Sequence, residues 1–214
     1  MDIKKLLQDF ILSNAFHPEN IYNEFSLQHE LGLYLRDNLK DTYTVKFERN
    51  IVDLIEEAKQ IKVQDNQLSN SAICQRLDPQ LKKKEIDIVI QNKDFPEEKY
   101  AIELKYPRNG QYPEEMYSFI VDIDFTEKLT KHGFTNAYCL TVVDDDKFYN
   151  NQLKLDGIYQ YFRNQAEIKG VINKPTGKED KKKNEFCKIE NSYVITWHCI
   201  EKDGHQYHYY IIPE

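Results

Sequence analysis

The chain has 214 residues, enough to bury a sizeable core, with 40% hydrophobic and 30% charged side chains, an ordinary globular balance. Acidic residues outnumber basic ones 36 to 29, a net charge of −7. That is a mild argument against nucleic acid as a partner, although the distribution of charge decides rather than its sum. No run approaches the roughly 18 apolar residues of a membrane helix, so no membrane partner is expected. Cys74, Cys139, Cys187 and Cys199 form no Cys-x-x-Cys pair, which argues against a zinc site or a disulfide scaffold. Cys139 and Cys199, in apolar strand-like runs, read as reduced core residues.

Met1 to Leu12 has helical spacing with acidic interruptions. It reads as an amphipathic first helix and not as a secretory signal, which predicts a cytoplasmic protein. Phe25 to Leu35 is a second amphipathic helix, carrying Glu30 and preceded by Glu24. Tyr43 to Glu48 alternates as a strand. Ile51 to Leu77 is charged, with helical spacing at Ile51, Leu54, Ile55 and Ala58, and reads as an insertion over about 51–80 in a single domain.

The most informative stretch follows. Glu85 to Ile90 and Tyr100 to Pro107 are apolar alternating runs, joined by a polar loop holding Asp94 and Pro96. Strand alternation sets Ile102, Leu104 and Tyr106 on one face, and Ala101, Glu103 and Lys105 on the other. Ile86, Ile88 and Ile90 separate likewise from Asp87 and Val89. The charged face is not an ordinary solvated one, because Ala101 and Val89 share it. Two carboxylates and an ammonium on a partly apolar sheet face point to a metal. Lys82, Lys83 and Lys84 before this hairpin, with Arg108 after it, are candidate nucleic-acid contacts at its two ends.

Val121 to Leu129 reads as a helix, Thr135 to Val143 as a strand and Gly157 to Arg163 as a helix. Residues 173–184, with Pro175, Gly177 and Lys181 to Lys183, read as a mobile loop. Val194 to Ile200 and Tyr207 to Ile212 form a C-terminal hairpin about Lys202 to Gly204. Its aromatics read as cross-strand packing before base stacking. His205 and His208 fall on opposite faces and share no ligand role.

Asp87 followed by Glu103-x-Lys105 resembles the PD-(D/E)xK nuclease superfamily, the restriction-endonuclease-like fold. Ile86 stands where that family usually has proline. The order of helix, strands, helix and strand over about residues 20–145 is similar to the family's αβββαβ core. The resemblance implies an α/β fold with a mixed central sheet flanked by helices, here extended by the C-terminal hairpin.

It also implies a site. Asp87, Glu103 and the backbone carbonyl of Leu104 would hold Mg²⁺, or Mn²⁺ in its place, since such ions take hard oxygen ligands. Lys105 would orient the attacking water and offset charge on phosphorus. Glu30, on the first core helix, would hold a second metal or a metal-bound water, with Glu24 the next candidate. The function expected is a metal-dependent endonuclease cutting phosphodiester bonds in DNA, ahead of RNA, in restriction, mobile-element defence or repair. Cutting both strands of a duplex calls for a homodimer or a partner protein. The alternative is a non-catalytic nucleic-acid- or protein-binding member of the same fold; the intact Asp87, Glu103 and Lys105 favour the enzyme.

Overall fold

The computed structural model describes residues 1–54, 84–108, 110–177 and 185–213. Helix α1 (Ile3–Leu12) starts at Asp2, whose side chain accepts a hydrogen bond from the Lys5 N–H at 2.9 Å. Ile3, Leu7, Phe10 and Ile11 bury one stripe of it. Helix α2 (Glu24–Leu39) is fixed by a reciprocal cap, in which Asn23 accepts from the Ser26 N–H and the Ser26 hydroxyl accepts from the Asn23 N–H. Strands β1 (Tyr43–Asn50), β2 (Glu85–Asn92) and β3 (Lys99–Lys105) come next, then the long helix α3 (Tyr112–Lys131) and strand β4 (Asn136–Val143). Pro113 and two acids open α3, and Lys128 and Lys131 close it, each suited to that end of the helix dipole.

After a 3₁₀ turn at Asp146–Phe148 come helix α4 (Tyr159–Arg163), strands β5 (Ile168–Asn173) and β6 (Phe186–Tyr193), and strands β7 (His198–Lys202) and β8 (His205–Ile212). The main sheet has six strands in the order β1-β2-β3-β4-β8-β7. Only β3 and β4 run parallel; the other neighbours are antiparallel. A parallel pair needs a crossover, and α3 supplies it. The protein is thus mixed α/β, with a mixed sheet flanked by helices.

Leu27, Leu31 and Leu35 of α2 pack with α1 and with Ile88, Ile90, Ile102 and Leu104 on one sheet face. Phe125 and Leu129 of α3 pack with Val89 and Ala101 on the other. Alternation on β3 is as the sequence predicts. On β2 it fails at one place: Ile86 joins Val89 on the α3 face, apart from Ile88 and Ile90. The break falls at Asp87, where the strand leaves its neighbour.

The C-terminal hairpin lies along the β4 edge, its first strand later in the chain than predicted. Cys139 is buried, but Cys199 is exposed, because β7 is the outermost strand. The β5–β6 hairpin was not predicted; Gly170, at φ 77°, interrupts its register and the sequence alternation with it. The expected insertion falls outside the described residues beyond a helical start at 51–54, and so do 178–184 of the expected loop. Among the described residues no helix is long and apolar enough to cross a membrane.

Candidate active site

The β2–β3 ladder runs from Gln91↔Lys99 to Ile88↔Ile102 and stops there. Asp87 and Glu103 occupy the next positions, where the strands part. Their side chains take over from the ladder. The Leu104 N–H donates to Asp87 Oδ2 at 2.7 Å, and the Asp87 N–H donates to Glu103 Oε1 at 3.4 Å. The Asp87 carbonyl accepts from Gln28 Nε2 of α2 at 2.9 Å, and the same nitrogen donates to Glu48 Oε1 at 2.5 Å. Glu48 stands opposite Asp87 in the β1 register and has φ 47°, a left-handed conformation that costs a non-glycine residue about 1 kcal/mol. Glu24, Phe25, Gln28, Glu48 and Asp87 line an open cleft of about 130 Å³.

Two ammonium groups enter the cluster. Lys105 Nζ lies 3.0 Å from the Leu104 carbonyl and 3.3 Å from both Glu24 Oε1 and Asp122 Oδ2. Lys84 Nζ lies 2.8 Å from Glu103 Oε2 and 2.6 Å from Asp122 Oδ1, above the Phe125 ring. Asp122 comes from the buried side of α3.

These surroundings set the charges. Burial pushes the Asp87 carboxyl up to about 7; the Leu104 N–H and Lys105 oppose this, while Asp122 and Glu24 add to it. Burial also holds Glu103 well above the usual carboxylate range, with Lys84 opposing and Asp87 and Asp122 reinforcing. For Lys84 and Lys105 burial works against the charged form, but the carboxylates overcome it and both are raised. Both lysines are therefore firmly cationic.

Asp87, Glu103, Leu104 and Lys105 are brought together, but Glu30 is not. Among the described residues it pairs with neighbouring His29, 3.2 Å away. Glu30 lies two residues past Gln28, roughly 200° around the helix, so it turns away when Gln28 faces Asp87. Glu24, one turn before Gln28, takes the place expected of Glu30. Lys84 is not an open phosphate contact but an internal partner of Glu103 and Asp122. Arg108 pairs with Asp144. Lys82 and Lys83 lie outside the described residues. The sequence reading missed Asp122, Gln28 and Glu48 as parts of this cluster. A carboxylate at Asp122, between Val121 and Ile123 on a helix that must cover a sheet, was the available signal.

The donors are all oxygens, the class that Mg²⁺ and Mn²⁺ take. Glu24, Glu48, Asp87, Glu103 and Asp122 outnumber Lys84 and Lys105, so full ionisation leaves an excess of negative charge that a dication would reduce. Asp122 Oδ2 is buried and, although near Lys105, accepts no well-directed hydrogen bond among the described residues. Among the described residues no three acidic, histidine or cysteine side chains converge closely enough to enclose an ion. Mg²⁺ does not require that, since one or two carboxylates and several waters suffice. The residues fit such an ion in kind.

No family model, curated protein or solved structure matches the chain.

Proposed function

We propose that this protein is a divalent-metal-dependent nuclease of the restriction-endonuclease-like type, hydrolysing phosphodiester bonds in DNA ahead of RNA. The observation that carries the reading is the convergence of Asp87, Glu103 and Lys105 where β2 and β3 part. The order of α2, β1 to β3, α3 and β4 supports it, being compatible with the αβββαβ arrangement. Restriction, mobile-element defence or repair are the settings such chemistry serves. Cutting both strands of a duplex would require a second copy or a partner.

Asp87, Glu103 and the Leu104 carbonyl would hold Mg²⁺ or Mn²⁺. When bound, the ion would supply Lewis acidity to a phosphate oxygen and make a water more acidic. Lys105, fixed in its protonated form, cannot serve as a general base; it orients water and offsets charge gathering on the phosphate. Glu24 and Asp122 keep its ammonium in the cleft. Gln28 holds the Asp87 backbone, and the Leu104 N–H holds its carboxylate.

One observation favours a second reading, a binding protein with no activity. Lys84 and Lys105 already pair with the carboxylates, as they would in a purely structural ion network. Cleavage of plasmid, linear duplex, single-stranded DNA and RNA with Mg²⁺ or Mn²⁺ separates the two, beside a Lys105→Ala control purified identically. Metal-dependent cutting lost in a folded control supports the nuclease. Equal cutting by both proteins, or none by either, rejects it for the isolated chain.

A further inference from the structure

Two aromatic side chains near the start of α2 stand in solvent, and one of them lines the cleft. Phe25 is 72% exposed and lines the cleft together with Asp87 and Glu24, and Tyr22 is 62% exposed three residues earlier. Among the described residues, neither belongs to a buried core cluster. Tyr22 precedes the helix cap Asn23, where an apolar residue often packs on the fourth helical residue, here Leu27. Leu27 is fully buried while most of Tyr22 is in water, so this staple is weak at best. Phe25 sits in the first turn of α2, and the buried stripe there passes through Leu27, Leu31 and Leu35 instead. Isolated exposed aromatics are common, but Phe25 lines the carboxylate cleft itself, and Tyr22 stands just before it in the chain.

Among the described residues, the cations of the cluster are already engaged. Lys84 and Lys105 pair within the cluster, and Arg108 pairs with Asp144. A continuous duplex is held chiefly through its phosphates, by lysine and arginine. An unpaired strand offers base faces as well, and stacking on aromatic rings supplies affinity without a row of phosphate contacts. The tyrosines of the C-terminal hairpin cannot serve, because Tyr207, Tyr209 and Tyr210 are buried.

Resting on the nuclease reading, we propose that Phe25 and Tyr22 form a stacking platform for unpaired bases. The preferred substrate is then a single strand, or the single-stranded part of a flap or frayed end. The platform lies beside Asp87, so a base stacked on Phe25 brings its own phosphate linkage to the carboxylates.

The test is binding of labelled oligothymidylate, an abasic strand of equal length and a matched duplex in Mg²⁺, with Asp87→Asn in every protein to prevent turnover. The Phe25→Leu and Phe25→Tyr variants are compared with their Asp87→Asn parent. The expected result is tighter binding of oligothymidylate than of the other two ligands. Phe25→Leu should weaken that binding about tenfold, a typical contribution of one stacked base, and Phe25→Tyr should preserve it. Leucine keeps the apolar character and removes the ring, and at this exposure it does not threaten the fold. Equal oligothymidylate affinity of Phe25→Leu and its parent overturns the platform, as does tighter binding of the duplex. Cleavage by proteins carrying the native Asp87 is scored separately. Metal-dependent cutting that ignores Phe25 leaves the nuclease standing without the platform. Ring-dependent binding without any cutting leaves the platform standing without the nuclease.

Discussion

Asp87 and Glu103 are joined crosswise through each other's strands. The carboxylate of Asp87 accepts the N–H of Leu104, the residue after Glu103, while the carboxylate of Glu103 accepts the N–H of Asp87. Each acid thus replaces a ladder bond lost where β2 and β3 diverge. The arrangement fixes both side chains before any ligand arrives, and it does so inside the fold, where two nearby negative charges are costly. On the nuclease proposal, stability and function therefore oppose each other at this pair.

That opposition predicts a pH signature for Asp87→Asn. The folded protein holds the Asp87 proton up to about pH 7, whereas an ordinary aspartate loses it near 3.8. Proton binding therefore favours folding; its contribution is complete below 3.8 and disappears as pH rises through about 7. The interval corresponds to roughly 4 kcal/mol at most, and partial solvent access with coupling to Glu103 reduces the expected effect to about 1–2 kcal/mol. Asparagine keeps an acceptor for Leu104 and never ionises. In metal-free buffer, the variant should gain stability over wild type steadily from pH 4.5 to 7.5. Urea melts across that range check it, and a difference that stays flat with pH rejects the assignment.

Lys84 should matter more to folding than a surface lysine does. Removing it with Lys84→Met leaves Glu103 and Asp122 buried without their nearest cation, at a cost of about 3 kcal/mol. Adding Asp122→Asn should recover part of that loss, a coupling of about 1–2 kcal/mol in a double-mutant cycle. Mg²⁺ should raise the melting temperature of Lys84→Met more than that of wild type, since the dication meets a larger charge deficit. Additive effects of the two substitutions would mean that the 2.6 Å contact carries no net energy.

The alternation of β3 was legible because both its faces are filled, Ile102 and Leu104 against α2 and Ala101 against α3. Strand period alone then places Glu103 and Lys105 together. Two kinds of information were harder to read. The phase of α2 decides between Glu24 and Glu30, and the stripe Leu27, Leu31, Leu35 carries that phase: Glu24 falls about 60° from Leu27 on the side of Gln28, while Glu30 falls about 60° to the other side. The second concerns which member of a charge run turns inward. Lys82, Lys83 and Lys84 look alike in sequence, and only the partners Glu103 and Asp122, distant along the chain, single out Lys84. The misplaced Ile86 has the same origin, since a strand that parts from its neighbour no longer keeps the sheet's alternation.

The two candidate acids of α2 give a direct contrast. On the nuclease proposal, Glu24→Gln removes the charge 3.3 Å from Lys105 and should lower cleavage on the order of tenfold, as loss of an outer partner commonly does. Glu30→Gln alters, among the described residues, the pair with His29 and should leave cleavage unchanged. Single-turnover rates at saturating Mg²⁺ measure both. A loss confined to Glu30→Gln would reverse the assignment.

Gly32 tests how the site is held at a distance. A Cβ there would collide with the Phe47 ring of β1, and Phe47 is in turn covered by the Arg36 guanidinium, 4.6 Å from the ring centre. Gly32 and Arg36 are one turn apart on α2, so the ring rests in the notch that glycine leaves. Alanine would improve the helix by about 1 kcal/mol, while forcing the ring aside costs about 1–3 kcal/mol. The second effect should win, giving a net loss of about 1 kcal/mol in urea unfolding. The damage should also reach the site, because the α2–β1 contact sets how closely Gln28 approaches the Asp87 carbonyl and Glu48. Gly32→Ala should therefore cut more slowly than its modest instability alone explains. Phe47→Leu, which vacates the ring's space, should restore the rate of the double variant toward that of Phe47→Leu alone. A Gly32→Ala protein as active as wild type would mean that α2 can shift without disturbing Asp87.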